Sequence, residues 1–167
     1  MDAIRLVLPP SQVGRALWIL VAALATLAAA WTFQAFGFTP CELCYAERCA
    51  FYAAAPLAAL TAYLASSMHG VARALFALLA LIFLANVALA FYHVGVEQHW
   101  WPGPTACTGA LSGPVDVNDL AKSLNSARVV RCDEVQLRIL GLSLAGWNVV
   151  ASGALAIYAA LAATLKR

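Results

Sequence analysis

The chain contains 167 residues, of which 63% are hydrophobic and only 11% are charged, and its formal net charge is +2. This composition lies outside the range of soluble globular domains and inside the range of membrane proteins. The net charge is uninformative about nucleic acid, but the sequence has no basic tract of the kind that nucleic-acid binding needs.

Four apolar stretches of the chain predict four membrane-spanning helices. The expected spans are residues 16–36, 49–68, 74–96 and 145–165. Each is about as long as the roughly 20 residues that cross a hydrocarbon core. Backbone polar groups must be paired in lipid, so each span is expected to be helical. The predicted fold class is therefore an all-α integral membrane protein, with residues 1–167 forming one four-helix transmembrane bundle.

The first span also has features of a cleaved signal peptide. Arg5 and Arg15 precede an apolar run that reaches three consecutive alanines at residues 28–30, which imitates a cleavage site. The apolar run continues through Trp31 and beyond, so we favour a retained helix.

Four of the five cysteines lie in the two loops that four spans place on one side of the membrane, residues 37–48 and 97–144. Lysine and arginine are divided almost evenly between the two sides, so the positive-inside rule gives no orientation. Two pairs of cysteines on one face indicate disulfide chemistry, which persists on the oxidising side of a membrane. We therefore expect these loops to face the periplasm and both termini to face the cytoplasm.

The longer loop combines irregular and helical segments. The sequence Pro-Gly-Pro at residues 102–104 breaks regular structure and predicts an accessible Cys107. Residues 117–127 have the spacing of a short amphipathic helix that lies on the bilayer surface. Trp100, Trp101 and Trp147 are expected to form an aromatic belt at the outer interface.

The strongest local motif is the sequence Cys-Glu-Leu-Cys at residues 41–44, at the mouth of the second helix. A helix N-terminus lowers the pKa of a thiol and favours the attacking thiolate. One alternative is a zinc site that recruits Cys107 and Cys132, although these lack the close spacing usual in such sites. Purely structural disulfides are the other alternative. The position at a membrane boundary favours a redox pair.

Arg48 follows Cys44 by one helical turn and lies on the same helix face. An arginine at the end of an apolar span is costly and often functional. We interpret it as a fixed cation that stabilises the Cys44 thiolate and polarises a quinone carbonyl. Two alternatives stay open, because the side chain can extend to the lipid headgroups or pair with Glu47.

Other polar residues of the spans have less specific interpretations. His93, at the end of the third span, either assists a quinone or proton transfer, or serves as an interfacial residue. His99 is expected at the surface. Cys49 is expected to be buried as a small apolar residue. Asn86 and Asn148 are expected to form hydrogen bonds between helices.

The run at residues 40–49, Pro-Cys-Glu-Leu-Cys-Tyr-Ala-Glu-Arg-Cys, resembles the signature of the DsbB family, the bacterial disulfide bond formation protein B. The order of the chain is also similar to that family: one helix, the paired cysteines, two helices, a long loop with two cysteines, and a last helix. Residues 92–93, 101–107, 132–134 and 140–143 carry further similarity. One difference is Glu42, whose acid between the cysteines disfavours a thiolate on either side.

This resemblance implies an oxidoreductase of the bacterial inner membrane that generates disulfides. The family reoxidises a periplasmic thioredoxin-fold carrier of the DsbA type and passes the electrons to ubiquinone or menaquinone. The resemblance implies that Cys44 and Arg48, with His93, form the quinone site, and it requires no metal or flavin.

The resemblance also implies a role for each cysteine. Cys107 and Cys132 would form the disulfide that the carrier attacks, with Cys107 taking up the mixed disulfide. Cys41 would then attack Cys132, and Cys44 would be left as a thiolate against the quinone. Re-formation of the Cys41–Cys44 disulfide would complete the cycle.

Two other functions fit parts of the pattern. The vitamin K epoxide reductase family is also a four-helix, quinone-linked bundle, but its cysteine pair lies on a late helix. A non-enzymatic membrane subunit would use its disulfides only to pin the loops. Quinone-dependent turnover with a reduced carrier distinguishes these possibilities.

Overall fold

The computed structural model describes residues 9–104 and 131–165. The described part of the chain is built of four long helices, with a short hairpin directly before the last one. The elements are α1 (Gln12–Ala35), α2 (Glu42–Leu64), α3 (His69–Glu97), β1 (Arg138–Ile139), β2 (Leu142–Ser143) and α4 (Leu144–Thr164). The expected all-helical architecture is confirmed.

Side chains at the helix N-termini explain where the helices begin. Ser11 caps α1 by accepting a hydrogen bond from the Gly14 N–H at 3.1 Å, and Ser143 caps α4 through the Gly146 N–H at 3.1 Å. Cys41 occupies the corresponding position before α2, with extended backbone angles. The second helix therefore begins at Glu42 and ends at Leu64, with the paired cysteines at its start as predicted.

Three of the described helices, α1, α3 and α4, are long and apolar enough to cross a membrane. The remaining helix, α2, is not in this group, and it carries charged side chains in its first two turns. The outer surfaces of all four helices expose large apolar side chains, as a lipid-facing surface requires. Examples are Val21, Leu24, Leu60, Leu81, Leu84 and Ile157.

The bundle is held by close packing and by a polar contact between helices. The most extensive contact is between α3 and α4, whereas α1 packs mainly on α2 and touches α4 only slightly. Phe51 of α2 and Phe83 of α3 meet at 5.7 Å between ring centroids in the core. The Asn86 amide donates to Ser152 at 2.9 Å and to Asn148 at 3.4 Å, which confirms the interhelical bonds expected for both asparagines.

Different segments of the chain meet at the two ends of the bundle. At one end, Arg15 donates to the Leu165 carbonyl at 3.3 Å and Arg73 donates to the Ala163 carbonyl at 2.8 Å. The start of α1 and the end of α4 therefore lie together. The α1–α2 connection, the end of α3 and the β1–β2 hairpin lie at the other end. This arrangement places the described loop cysteines on one side of the bundle.

Candidate thiol redox site

The paired cysteines lie at the N-terminus of α2. Cys41 is 4% exposed, and its Sγ accepts a hydrogen bond from the Cys44 backbone N–H at 3.4 Å. The two Sγ atoms are 3.0 Å apart, and both thiols are free. A small movement of either side chain would bring these sulfur atoms to bonding distance.

His93 of α3 is the nearest polar neighbour of this pair from another helix. Its Nε2 lies 3.6 Å from the Cys41 Sγ, and its Nδ1 lies 2.6 Å from Oε1 of Glu47. The imidazole is 3% exposed. Because Nδ1 faces a carboxylate, it carries a proton, and Nε2 is the ring nitrogen presented to the sulfur.

Glu47 is a buried carboxylate with a partner on each oxygen. Oε1 faces His93, and Oε2 accepts a hydrogen bond from the Asn148 amide at 2.5 Å. The Asn148 Oδ1 in turn accepts from the Ser152 hydroxyl at 3.1 Å. A buried charge is tolerated only when it is paired in this way. The hydrogen bonds therefore run from α4 through α2 to the imidazole on α3.

The sequence interpretation missed this role of Glu47, which was considered only as a partner of Arg48. One signal was available. Leu43, Glu47 and Phe51 follow one another at four-residue intervals, so they share one helix face. Leu43 and Phe51 are apolar and buried, and an acid between them indicates a buried polar contact.

The surroundings of Cys41 favour its thiolate. The side-chain hydrogen bond with Cys44 lowers the pKa of the Cys41 thiol to about 4, assisted by the hydrogen bond and charge of His93 and opposed by burial. The N-terminus of α2 adds positive partial charge at the same place. Cys41, rather than Cys44, is therefore the cysteine of the pair whose sulfur lies beside the His93 imidazole.

Arg48 does not meet Cys44 through a hydrogen bond in the described structure. Its guanidinium donates to the Gln34 side chain at 2.8 Å and to the Ala30 carbonyl at 3.3 Å, both on α1. The same group lies 5.4 Å from the ring centroid of Tyr45. Arg48 thus joins α1 to α2. In the described structure it forms no hydrogen bond with Glu47.

Cys132 comes close to the paired cysteines. It is 1% exposed and packs in one cluster with Cys41, Leu43 and Val96. Cys132 is disulfide-bonded, in contrast to Cys41. The Gln136 amide donates to the Thr39 carbonyl at 2.8 Å, which ties the segment after Cys132 to the α1–α2 connection. Cys107 and the amphipathic helix expected at residues 117–127 lie outside the described residues.

Trp101 folds back onto α3 and covers one side of the thiol cluster. Its indole N–H donates to the Tyr92 carbonyl at 2.9 Å, and the two rings stack at 6.0 Å. A Cβ added at Gly95 would lie 2.0 Å from the indole, so only glycine fits beneath it. Trp101 is therefore packed against α3, whereas Trp100 is 60% exposed; the aromatic belt expected at the outer interface stays a prediction.

A cavity of about 460 Å³ opens beside the two thiols. Its volume and its mainly apolar lining are typical of small-molecule sites. Cys44, Arg48 and His93 contribute polar groups, and Cys132 lies at its edge. The apolar lining comes chiefly from α1, α2 and α4, including Ala25, Leu27, Ala29, Ala30, Phe33, Phe51, Leu144 and Ala151.

The family model described as disulfide bond formation protein DsbB matches residues 14–162 of the chain. The chain belongs to the DsbB family. The same comparisons found no significant match among curated proteins or solved structures. Family membership and the apolar helices identify a multi-pass membrane protein with an oxidoreductase role in disulfide bond formation.

The DsbB-family match also bears on the alternatives. A vitamin K epoxide reductase-like protein is disfavoured, because the match to DsbB covers nearly the whole chain. A zinc site that uses Cys132 is disfavoured as well, since a disulfide-bonded sulfur is not a thiolate ligand.

Cys49 and His99 are both exposed and lie outside the thiol site. Cys49 is exposed on the outer face of α2, with its Sγ 3.5 Å from the Tyr45 carbonyl, so its expected burial is wrong. The physical reason is helical periodicity: Cys49 follows Glu47 by two residues, which turns it away from the bundle. His99 is exposed, as expected.

Proposed function

We propose that this chain is a quinone-dependent protein thiol:disulfide oxidoreductase of the bacterial inner membrane. It reoxidises a periplasmic thioredoxin-fold carrier of the DsbA type and passes the electrons to ubiquinone or menaquinone. The observation that carries this proposal is a single site in which Cys132 packs against Cys41 while Cys44 borders an apolar cavity. Cys41 and Cys132 line this cavity as well, so the thiol pair, a loop cysteine and a space for a small acceptor meet in one place.

The four cysteines divide the electron path between two disulfides. A carrier thiolate attacks Cys107, forms a mixed disulfide and releases the thiolate of Cys132. Cys132 attacks Cys41 in the Cys41–Cys44 disulfide, and Cys44 leaves as a thiolate. Cys132 is the attacking sulfur because it is the one that the carrier sets free, which reverses the direction expected from the resemblance.

The loop disulfide then re-forms. The second carrier thiolate attacks the carrier sulfur of the mixed disulfide, so the carrier leaves oxidised and Cys107 becomes a thiolate. Cys107 attacks Cys132, and Cys41 leaves with the bonding electron pair. Two electrons have then moved from the carrier to the Cys41–Cys44 pair.

The cavity fits a quinone ring in size and polarity. Phe33 and Phe51 offer apolar surfaces, Arg48 offers a hydrogen-bond donor, and Cys44 offers the reacting sulfur. A bound quinone would supply the two-electron oxidation that returns Cys41 and Cys44 to a disulfide. DsbA is itself a strong oxidant, at about −120 mV, so its reoxidation requires a stronger acceptor of this kind.

The proposed orientation places the thiol site at the periplasmic face and both termini in the cytoplasm. The bundle supports it by collecting Cys41, Cys44 and Cys132 at the end opposite Arg15 and Arg73. A membrane-impermeant thiol reagent applied to reduced, intact spheroplasts should label a variant that keeps only Cys107, which the Pro-Gly-Pro sequence before it predicts to be accessible. Labelling only after the membrane is broken would reverse the orientation.

The decisive experiment measures quinone reduction by the full chain in lipid nanodiscs with a reduced DsbA-type carrier. We expect turnover that depends on quinone and is abolished by Cys44→Ser. Cys49→Ser is the matched control, because it removes a thiol from the outer face of the same helix. Repeated turnover of the carrier without quinone, beyond the two disulfides that the chain itself can supply, or full turnover in Cys44→Ser, would refute the proposal. No turnover in the wild type would favour a structural subunit.

A further inference from the structure

A continuous line of buried side chains leads from α4 to the sulfur of Cys41. Asn148 donates to Glu47 at 2.5 Å, Glu47 meets His93 at 2.6 Å, and His93 reaches Cys41 at 3.6 Å. Glu47 and His93 are 5% and 3% exposed. Three helices thus contribute to one arrangement that ends on a single thiol.

The order of these groups is that of an acid–imidazole–thiol triad. In such triads, the acid fixes the imidazole tautomer and stabilises its positive charge, and the imidazole holds the thiolate. Here Glu47 binds Nδ1, which leaves Nε2 to face Cys41. Asn148 occupies the other carboxylate oxygen, so the carboxylate of Glu47 is restrained on both sides.

We propose that Glu47 and Asn148 are positioning residues that hold His93 against Cys41, which makes Cys41 the thiolate partner of the imidazole. His93 accepts the proton of the Cys41 thiol at Nε2. When Cys107 attacks Cys132, the Cys41–Cys132 bond breaks and the electron pair departs on Cys41, beside the imidazolium. The catalytic use of this arrangement rests on the proposed function, whereas the thiolate partnership itself does not.

Other charged groups surround Cys41 and must be separated from this effect. Cys44 lies on the same helix, and Glu97 lies one turn beyond His93 on α3 and accepts a hydrogen bond from Ser143. Further titratable groups line the cavity: Arg48, Arg131 and Glu134. In the described part of the chain, neither Glu97 nor Glu134 forms a hydrogen bond with His93, whereas Glu47 does, so the Glu47 variant isolates the proposed contact.

Glu42 provides a matched control. It is an exposed acid in the first turn of α2, between the two cysteines. Removal of a nearby negative charge by itself favours the Cys41 thiolate. Glu42→Gln should therefore leave the pH at which Cys41 ionises unchanged or lower it. Glu47→Gln also removes one negative charge, but this charge is the one that stabilises the His93 imidazolium. Glu47→Gln should therefore raise the pH at which Cys41 ionises.

The test follows the alkylation of Cys41 in the full-length protein in nanodiscs, reduced with dithiothreitol and then freed of reductant, without quinone or carrier. Iodoacetamide labelling of the Cys41 peptide is measured by mass spectrometry between about pH 3 and pH 10. We expect Glu47→Gln to raise the midpoint by about one to three pH units. Asn148→Leu should raise it by about one unit, which is a tenfold loss of thiolate below the midpoint. Glu47→Asp should restore most of the shift.

The outcomes separate this inference from the proposed function. Unchanged midpoints in both Glu47→Gln and Asn148→Leu would overturn it, as would an equal rise in Glu42→Gln. If Glu47→Gln does not fold, Asn148→Leu decides alone, because it keeps every charge. A shifted midpoint in a protein that fails to reduce quinone would support the triad and reject the proposed function.

Discussion

Replacement of Arg48 by glutamine tests whether this residue serves the acceptor or only joins two helices. The wild-type guanidinium donates to Gln34 at 2.8 Å and to the Ala30 carbonyl at 3.3 Å while it borders the cavity. The substitution removes the charge and shortens the side chain. Both functions are then lost together, so a second variant must separate them.

The magnitude follows from the strength of charge-assisted hydrogen bonds. Such bonds contribute about 1.5–3 kcal/mol, so loss of one to a quinone oxygen or to the Cys44 thiolate slows the quinone step roughly 10–150-fold. The assay is single-turnover quinone reduction in nanodiscs at limiting quinone, with the Tm measured in parallel. Carrier exchange at the loop disulfide, measured without quinone, should be unchanged.

Gln34→Leu is the matched control, because it removes the α1 partner of Arg48 and keeps the cation. It should lower the Tm by about as much as Arg48→Gln and leave quinone reduction nearly intact. Arg48→Lys keeps a charge without the planar fork and should fall between wild type and Arg48→Gln. Normal quinone kinetics in Arg48→Gln with a lowered Tm would show that Arg48 only joins α1 to α2.

Three further predictions address other parts of the site. Cys49→Ala should leave turnover near normal, because its thiol lies on the outer face of α2; equal failure of Cys44→Ser and Cys49→Ala in quinone reduction would contradict the assigned pair. Gly95→Ala should lower the stability by about 1–3 kcal/mol in thermal unfolding, since its Cβ would lie 2.0 Å from the Trp101 indole. Gly153→Ala, whose added Cβ would have its nearest neighbour at 3.9 Å, should be neutral or stabilising. An equal loss of stability in the two variants would show that the contact with Trp101 is not the cause. EDTA should not reduce turnover, because the proposed thiol and quinone chemistry requires no metal; a loss of activity with EDTA would indicate a required metal.

Much of the architecture could be predicted from local sequence. Apolar stretches predicted the helices, because lipid requires every backbone group to be paired within its own segment. The position of Cys41 and Cys44 at the start of α2 followed from the pattern of residues 41–44. Asn86 and Asn148 were identified as interhelical contacts, since amides within apolar helices need polar partners.

The arrangement of the site could not be predicted in the same way, because it depends on which helix faces meet. Glu47 was considered only as one possible partner of its sequence neighbour Arg48, but successive residues of a helix point about 100° apart. In the bundle, Glu47 points inward and contacts His93 of α3 and Asn148 of α4. Arg48 points in another direction and contacts α1. The burial predicted for Cys49 failed for the same reason, since apolar surroundings in sequence do not distinguish a lipid-facing side from the core.

The two thiols at the start of α2 have different surroundings, and this difference gives the electron path a direction. Cys41 is buried against His93 and Cys132, so its thiolate is stabilised where the loop disulfide exchanges. A thiol of lower pKa is a better leaving group and a weaker nucleophile. Cys41 is therefore suited to depart when the loop disulfide re-forms. Cys44 forms no hydrogen bond with the imidazole in the described structure, and under the proposed function its sulfur is the one that reacts with the small acceptor in the cavity that both cysteines line.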